Sequence, residues 1–384
     1  MFKKMFLYIL IFALFIIVII YKYDNLKNLS QRFVKKYLLE NENLGNKNLL
    51  LANSFGLKVK KIDFKNNPIR TAGILFKNNE IVVYEQTDTQ KIDVKFLIKY
   101  NGTHLDEINP IRQIFNYRNN VICLLVFRAK EKYKFVSLIN LTKKIEIFRS
   151  PMLSSDNATF DGIGGGYTFL GDNLLFALGT PSASYGDQIS ELAQDHTSPF
   201  GKVLIFNKKE LEFQRSNIFN FNIFSSGHRN PQGLLNYNNT IYEVEHGPRG
   251  GDEINILEYG KNYGWPIYSF GKSYEGNEFK VPRDSLNFKN PLYSFVPSVA
   301  TSDLIGCPEN ISKIYKPFDC ILISTLKSKS VFIAIIDPKK DKLLNMEQLY
   351  FGSRIREFSK DKLNTILFST DGDGLYKLDS FYKY

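Results

Sequence analysis

Histidine, cysteine and tryptophan are scarce in this 384-residue chain, which holds four His, three Cys and one Trp. Cys123, Cys307 and Cys320 are too few and too widely spaced for a metal cluster or a dense disulfide framework. Cys123 sits in the apolar run VICLLVF and reads as a core residue. Cys307 and Cys320 could pair in an extracytoplasmic compartment, which permits disulfides, but their spacing does not decide it. The histidines leave four imidazole candidates for a base, His104, His196, His228 and His246. Long helical periodicity is almost absent, which argues against a mainly helical fold. Clustered basic residues are missing as well. The formal charge is +11 and the pI about 9.2, yet lysine is scattered among Asn, Ile, Phe and Tyr, so no nucleic-acid partner is expected.

Apolar and aromatic residues, at 43% and 14%, are abundant enough to make the chain globular. Lys3 and Lys4 precede an uncharged apolar run from Met5 to Tyr21. That length approaches the lower limit for crossing a bilayer. A cleaved signal peptide is the competing assignment, but Tyr21, Lys22 and Tyr23 stand where small residues would mark a cleavage site. The sequence therefore predicts a signal anchor over residues 1–23, with the remainder exported, and a stalk or short helix over 24–54.

From residue 55 to 384, strand-like runs of four to eight residues recur between Asn, Gly, Asp and Lys turns. Leu75 to Glu85, around KNNE, and Phe169 to Leu178, around GDN, read as antiparallel hairpins. Dividing roughly 330 residues by the length of a four-stranded propeller blade gives about six blades. The expected fold is thus all-β, a six-bladed β-propeller preceded by an N-terminal transmembrane helix. A pair of β-sandwiches is the alternative, although no linker marks a division.

Between Gly227 and Pro266 lie two of the histidines, the single Trp265 and a dense set of Gly and Pro. In GHRNPQG, Pro231 biases Asn230 towards extended geometry, so Arg229 and Asn230 fall on a non-repetitive turn suited to ligand contact. A turn whose side chains only satisfy their own backbone is the competing assignment. In EHGPRGGDEINIL, Gly247, Gly250 and Gly251 allow close backbone approach. Carbonyls from such a turn can ligate Ca2+, and Asp252 and Glu253 are nearby carboxylates. An ordinary connection into the strand EINIL is equally compatible. TDGDGLYKL, with Asp371 and Asp373, reads as a hairpin turn because it lacks the downstream Glu of a calcium loop.

GHRNPQGL, EHGPRGGDEINIL and KNYGWP, in this order and spacing, resemble the glucose/sorbosone dehydrogenase family, soluble-type aldose dehydrogenases that use pyrroloquinoline quinone. AQDHTSPFGKVLIFN and PSVATS extend the resemblance, with Thr301 in place of a proline. It implies a six-bladed propeller, pyrroloquinoline quinone and Ca2+ as cofactors, a sugar substrate and an external electron acceptor. Carried over residue by residue, it makes Arg229, Asn230, Lys327, Arg354 and Arg356 cofactor contacts and the carbonyls of Gly247 and Pro248 the calcium ligands. Arg354 and Arg356, two apart on a strand, would share one face and suit a polycarboxylate.

The family's histidine base has no counterpart in TFDGIGGGYTFLGDN, where Asp161, Gly162 and Ile163 occupy the vicinity. The usual Glu-Arg pair of the first blade is also not recognisable around Asn67 to Gln86. Asp161 is the substitute candidate, so Arg229 and Asp161 are the expected catalytic residues. Two expectations follow. One is a membrane-anchored, extracytoplasmic enzyme that oxidises the anomeric carbon of an aldose. The other is a non-catalytic propeller that binds sugar, cofactor or an envelope partner.

Overall fold

The computed structural model describes residues 47–51, 55–63, 67–77, 80–97, 107–129, 132–181, 188–274, 276, 279, 287–361 and 363–382. The expected anchor over 1–23, and the stalk except for Lys47–Leu51, lie outside them. Among the described residues no helix is long and apolar enough to cross a membrane. Lys47–Leu51, assigned above to the stalk, is a strand: it pairs antiparallel with Phe55–Ile62, Leu49 opposite Lys58.

Six strands run around a central channel: Thr71–Lys77, Glu107–Tyr117, Gly164–Leu170, Pro231–Tyr237, Thr301–Gly306 and Ile355–Lys360. Each packs against the next, and the last returns to the first. Glycine permits this closeness. A Cβ on Gly73 would stand 2.0 Å from the Ile114 carbonyl oxygen, and one on Gly233 would stand 2.9 Å from the Cα of Asp303.

Outward from the channel, successive strands pair antiparallel. Gly164–Leu170 is followed by Asn173–Leu178, Lys202–Phe206 and Asn222–Ser226, and the sheets beginning at Glu107, Pro231 and Thr301 repeat that order. The sheet that begins at Ile355 continues through Ile366–Thr370 and Gly374–Tyr382 into Phe55–Ile62 and Lys47–Leu51 from the other end of the chain. Val59 lies opposite Leu378 in that seam, so strands distant in sequence share one sheet.

The result is an all-β, propeller-like arrangement that departs from six equal blades. Five sheets have four or more strands, while Thr71–Lys77 and Glu80–Glu85 form only a two-stranded hairpin. After Glu85 the backbone turns into a short 3-10 helix, Asp88–Lys91, whose N–H and C=O groups do not extend a sheet. The hairpin still separates Glu107–Tyr117 from Ile355–Lys360 and so completes the ring. The predicted hairpins around KNNE and GDN are present, and TDGDG is the turn between Ile366–Thr370 and Gly374–Tyr382.

The core lies between neighbouring sheets. Phe127, Phe135, Phe148, Phe176, Phe206 and Phe368 are all completely buried. Each such side chain contributes about 1.5–3 kcal/mol relative to exposure. Cys123 is buried and free, as expected of a core residue.

Cys307 and Cys320 form a disulfide, which the sequence had left open. They lie at facing ends of Thr301–Gly306 and Asp319–Thr325, where Cys307 N–H also donates to the Cys320 carbonyl at 2.9 Å. Replacing both cysteines with serine is expected to cost about 3 kcal/mol in urea unfolding, from the restored freedom of a short unfolded loop. Thiol titration of the denatured, unreduced protein should find one reactive cysteine.

Candidate active site

The turn His228-Arg229-Asn230 leads into the inner strand Pro231–Tyr237. It is held by Glu245, whose Oε2 accepts the backbone N–H groups of Arg229 and Asn230 at 2.7 and 3.2 Å. The Arg229 side chain then crosses to the next loop. Its Nη1 donates to the carbonyls of His246 and Gly247 at 3.1 and 2.8 Å. Its guanidinium lies 5.3 Å from the Trp265 ring centroid, in cation–π contact. Burial lowers the Arg229 pKa, partly opposed by Tyr274 and Glu245. Two donors here, Arg229 Nε and Trp265 Nε1, are buried with no partner.

The second loop, Gly247 to Gly251, is organised by Asp252. Oδ1 accepts the Gly247 N–H at 3.1 Å, while Oδ2 accepts Ser298 Oγ–H and the N–H groups of Val299 and Ala300 at 2.6–2.9 Å. One completely buried carboxylate thus ties GPRGGD to PSVATS. The latter loop in turn carries Lys327, whose N–H donates to the Val299 carbonyl and whose side chain is exposed.

Asp252 and Glu253, considered above as carboxylates near a cation, therefore have other roles. Asp252 is engaged with three backbone N–H groups and the Ser298 hydroxyl. Glu253 faces the opposite side of the strand, with Glu243 and Glu245 around the Asn255 amide. Glu243, Glu245 and His228 bring three potential metal-ligand atoms within 4.8 Å of one another. The spacing from Glu243 to Glu245 places both on one face of a strand, but the sequence held no signal that His228 would meet them.

Neither histidine of this stretch is free to act as a base. His246 Nε2 donates to the Thr301 carbonyl at 2.6 Å, so Nδ1 is the acceptor facing Asn230 Nδ2 at 3.3 Å. Burial lowers its pKa. His228 is completely buried, stacked on Tyr263, with Nε2 2.8 Å from Ser225 Oγ. His196 is exposed, and His104 lies outside the described residues.

Arg354 and Arg356 do come together, and Asp371 is the reason. Arg354 Nε and Arg356 Nη2 donate to Asp371 Oδ2 at 2.9 and 2.6 Å, and Arg356 Nε donates to Oδ1 at 2.9 Å. The two guanidiniums hold the Asp371 carboxyl below its ordinary value against the cost of burial. Asp371 was assigned to a turn; that it also orients the arginine pair needed the hairpin partner of Ile355–Lys360.

A cavity of about 1050 Å³ follows the central channel, lined at one end by Arg70, Arg112, Asp161 and Arg356. Asp161 sits beside Arg112, 3.3 Å from its Nη2, with 93% of its side chain exposed. The structure thus gives Asp161 a place at the channel mouth without the enclosure that usually tunes a catalytic base. A Cβ added to the adjacent Gly162 would meet Asn230 Nδ2 at 3.6 Å, an ordinary contact. Two more carboxylates line the cavity, the buried Glu357 and the half-buried Asp303. Burial pushes Asp303 up to about 7 against hydrogen bonds from the Phe358 and Leu304 N–H groups. Burial, with Asp303 second, raises Glu357 well above the carboxylate range.

A ring of antiparallel sheets with a loop platform and a cationic channel mouth is the architecture of a ligand-binding β-propeller. The chain belongs to the glucose/sorbosone dehydrogenase family, whose model matches residues 118–377. Among curated relatives, aldose sugar dehydrogenase YliI of Escherichia coli is 38% identical over 124 residues, 31% of this chain and 32% of that protein. Quinoprotein glucose dehydrogenase B of Acinetobacter calcoaceticus is 40% identical over 77 residues, 19% of this chain and 16% of that protein. The matched stretches span about a third or less of these relatives. The fold is shared more widely. The apo-form soluble aldose sugar dehydrogenase of Escherichia coli superposes with a TM-score of 0.62 at 21% identity, covering 85% of this chain and all of that one. The pyrroloquinoline quinone-bound aldose sugar dehydrogenase of Streptomyces coelicolor gives 0.56 at 18% identity, covering 85% and 98%.

Two measurements check this geometry. Asp252→Ala leaves four donors without their acceptor and is expected to cost about 3 kcal/mol or more, with proteolysis appearing first in residues 296–302. Asp303 and Glu357 bind protons more tightly folded than unfolded, so the contribution of each is present below the unfolded carboxylate range and is lost as pH rises towards its folded value, about 7 for Asp303. Stability should therefore fall from pH 5 to pH 8 along this component, and Glu357→Gln should flatten the slope.

Proposed function

We propose that this protein is a pyrroloquinoline quinone-dependent sugar dehydrogenase that oxidises the anomeric carbon of an aldose. The observation that carries the proposal is the convergence of Arg229, with an unpartnered buried Nε, on the Gly247 carbonyl beside Trp265. The donor set fits the cofactors: Arg354, Arg356 and Lys327 suit the three carboxylates of the quinone, and the Gly247 and Pro248 carbonyls suit Ca2+. When bound, the quinone accepts hydride and the cation polarises it.

The protein's own contribution is placement and charge. Arg229 and Asn230 are fixed by Glu245 before any ligand arrives, which removes part of the entropic cost of orienting one. The Asp252 hub fixes the carbonyl-bearing loop that Arg229 contacts, and the Trp265 indole lies against the same guanidinium. Asp161 is the group at the mouth that would take the hydroxyl proton. The second reading, a non-catalytic binder, draws support from its exposure and from the engagement of both site histidines.

The apolar run at residues 5–21 and the disulfide Cys307–Cys320 support a membrane-anchored protein with its propeller outside the cytoplasm. In that setting the electrons pass to an acceptor outside the protein.

The test separates binding from turnover. The full chain in detergent is loaded with the quinone and Ca2+; retention of the cofactor and aldose-dependent dye reduction are both expected. Arg354→Ala with Arg356→Ala should abolish retention. Retention without reduction across a panel of aldoses would favour the binder, and neither would sink the enzyme. Gly162→His, which places an imidazole beside Asn230, should raise reduction about 100-fold.

A further inference from the structure

We propose that Arg70 and Arg112 form an anion subsite at the channel mouth, separate from the Arg354 and Arg356 pair, and that the sugar bound there carries one anionic group, a carboxylate or a phosphate. The inference rests on the sugar-binding reading above and sharpens it to a substrate class.

Arg70 stands at the start of the inner strand Thr71–Lys77, and Arg112 lies in the next inner strand, Glu107–Tyr117. Their side chains line the same cavity with Asp161 and Arg356. Arg112 is almost wholly inside the protein, its side chain 6% exposed. Nη2 donates to the Phe160 carbonyl at 2.5 Å and to Asp161 Oδ1 at 3.3 Å, while Nε is buried with no partner. Among the described residues, none accepts a hydrogen bond from the Arg70 guanidinium or forms an ion pair with it.

Charge at the mouth is unbalanced. Four guanidiniums, from Arg70, Arg112, Arg354 and Arg356, share two carboxylates, Asp161 and Asp371, and both oxygens of Asp371 are taken by Arg354 and Arg356. Arg112 pairs with Asp161, while Arg70, in an ion pair with neither carboxylate, feels Asp371 and then Asp161 only at longer range. Burial, then Arg70, lowers the Arg112 pKa to about 10. Arg70 in turn is lowered by burial and then by Arg356. Like charges held this close, with a buried donor unmet, are costly unless something neutralises them.

A neutral aldose would offer hydroxyls to these N–H groups but would leave the positive charge as it was. One anionic group would meet both needs, because the planar guanidinium pairs with carboxylate or phosphate through charge-assisted, often bidentate bonds. Asp161, paired with Arg112, then becomes a selectivity element. It keeps Arg112 oriented and presents an acceptor to sugar hydroxyls next to the anion.

Calorimetric titration of the full chain, without quinone or dye, tests the subsite. The ligands are glucuronate, glucose 6-phosphate and glucose. At least one of the two anions is expected to bind about tenfold or more tightly than glucose, and the tighter of the two identifies the group. Arg70→Gln with Arg112→Gln should abolish that advantage, whereas Arg354→Ala with Arg356→Ala should keep it. If the double glutamine variant does not fold, Arg70→Gln alone, at an exposed position, should reduce the advantage. Equal affinity for all three ligands would overturn the proposal, as would an advantage that vanishes with Arg354 and Arg356 and survives loss of Arg70 and Arg112. Because no turnover is read, a failed dye assay would remove the enzyme reading and leave this outcome standing.

Discussion

Two buried carboxylates from one short stretch, Glu245 and Asp252, hold the site in place. Glu245 presents one oxygen to consecutive backbone N–H groups at Arg229 and Asn230, and Asp252 collects donors from the loops at Gly247 and at Ser298 to Ala300. Backbone donors inside a protein need acceptors, and each of these carboxylates supplies one to several at once. The placement of Arg229 against the Gly247 loop follows from these two hubs. Arg229 reaches the Gly247 carbonyl because both of its ends are fixed, and Trp265 lies under its guanidinium because Gln194 holds the Trp265 carbonyl at 2.5 Å.

The ring works in the same way on a larger scale. Inner strands with glycines at their closest approaches let neighbouring sheets pack face to face around a channel, and the seam of Phe55–Ile62 on Gly374–Tyr382 joins the two ends of the chain. The channel mouth collects side chains from four sheets at once. Arg70, Arg112, Asp161, Arg356 and Asp371 are therefore neighbours although up to about 300 residues separate them. This convergence creates a positive region at one end of the channel, with protonatable carboxylates, Asp303 and Glu357, lining the same cavity. Electrostatic preference for an anion arises from that geometry more than from the overall charge of the chain.

Local patterning made much of this legible. Alternating apolar runs between turn residues marked the hairpins, and the pairs around KNNE and GDN fold as expected because a two-residue connection leaves few other partners. The motif GHRNPQG marked Arg229 and Asn230 because proline and glycine on either side specify an irregular turn. What misled was arithmetic. A count of blades by length presumes equal blades, whereas the segment after Glu85 spends its residues on a 3-10 turn and leaves a hairpin in place of a full sheet. Lys47–Leu51 was hidden for a different reason: its partner, Phe55–Ile62, is close in sequence but is itself joined to a larger sheet only by Gly374–Tyr382 from the far end of the chain.

By itself the sequence determined the all-β class, the turn chemistry and the family, since these depend on residues close together in the chain. Only the tertiary structure decided which charges meet. That His228 would pack against Tyr263 and not face the channel, that Asp371 would orient Arg354 and Arg356, that Cys307 would reach Cys320, and that Arg70 and Arg112 would share a cavity all depend on contacts between different strands or sheets. The physical reason is range. Hydrophobic periodicity and turn preferences act over a few residues, whereas electrostatic balance and burial are properties of a place, and the fold builds that place from distant parts of the chain.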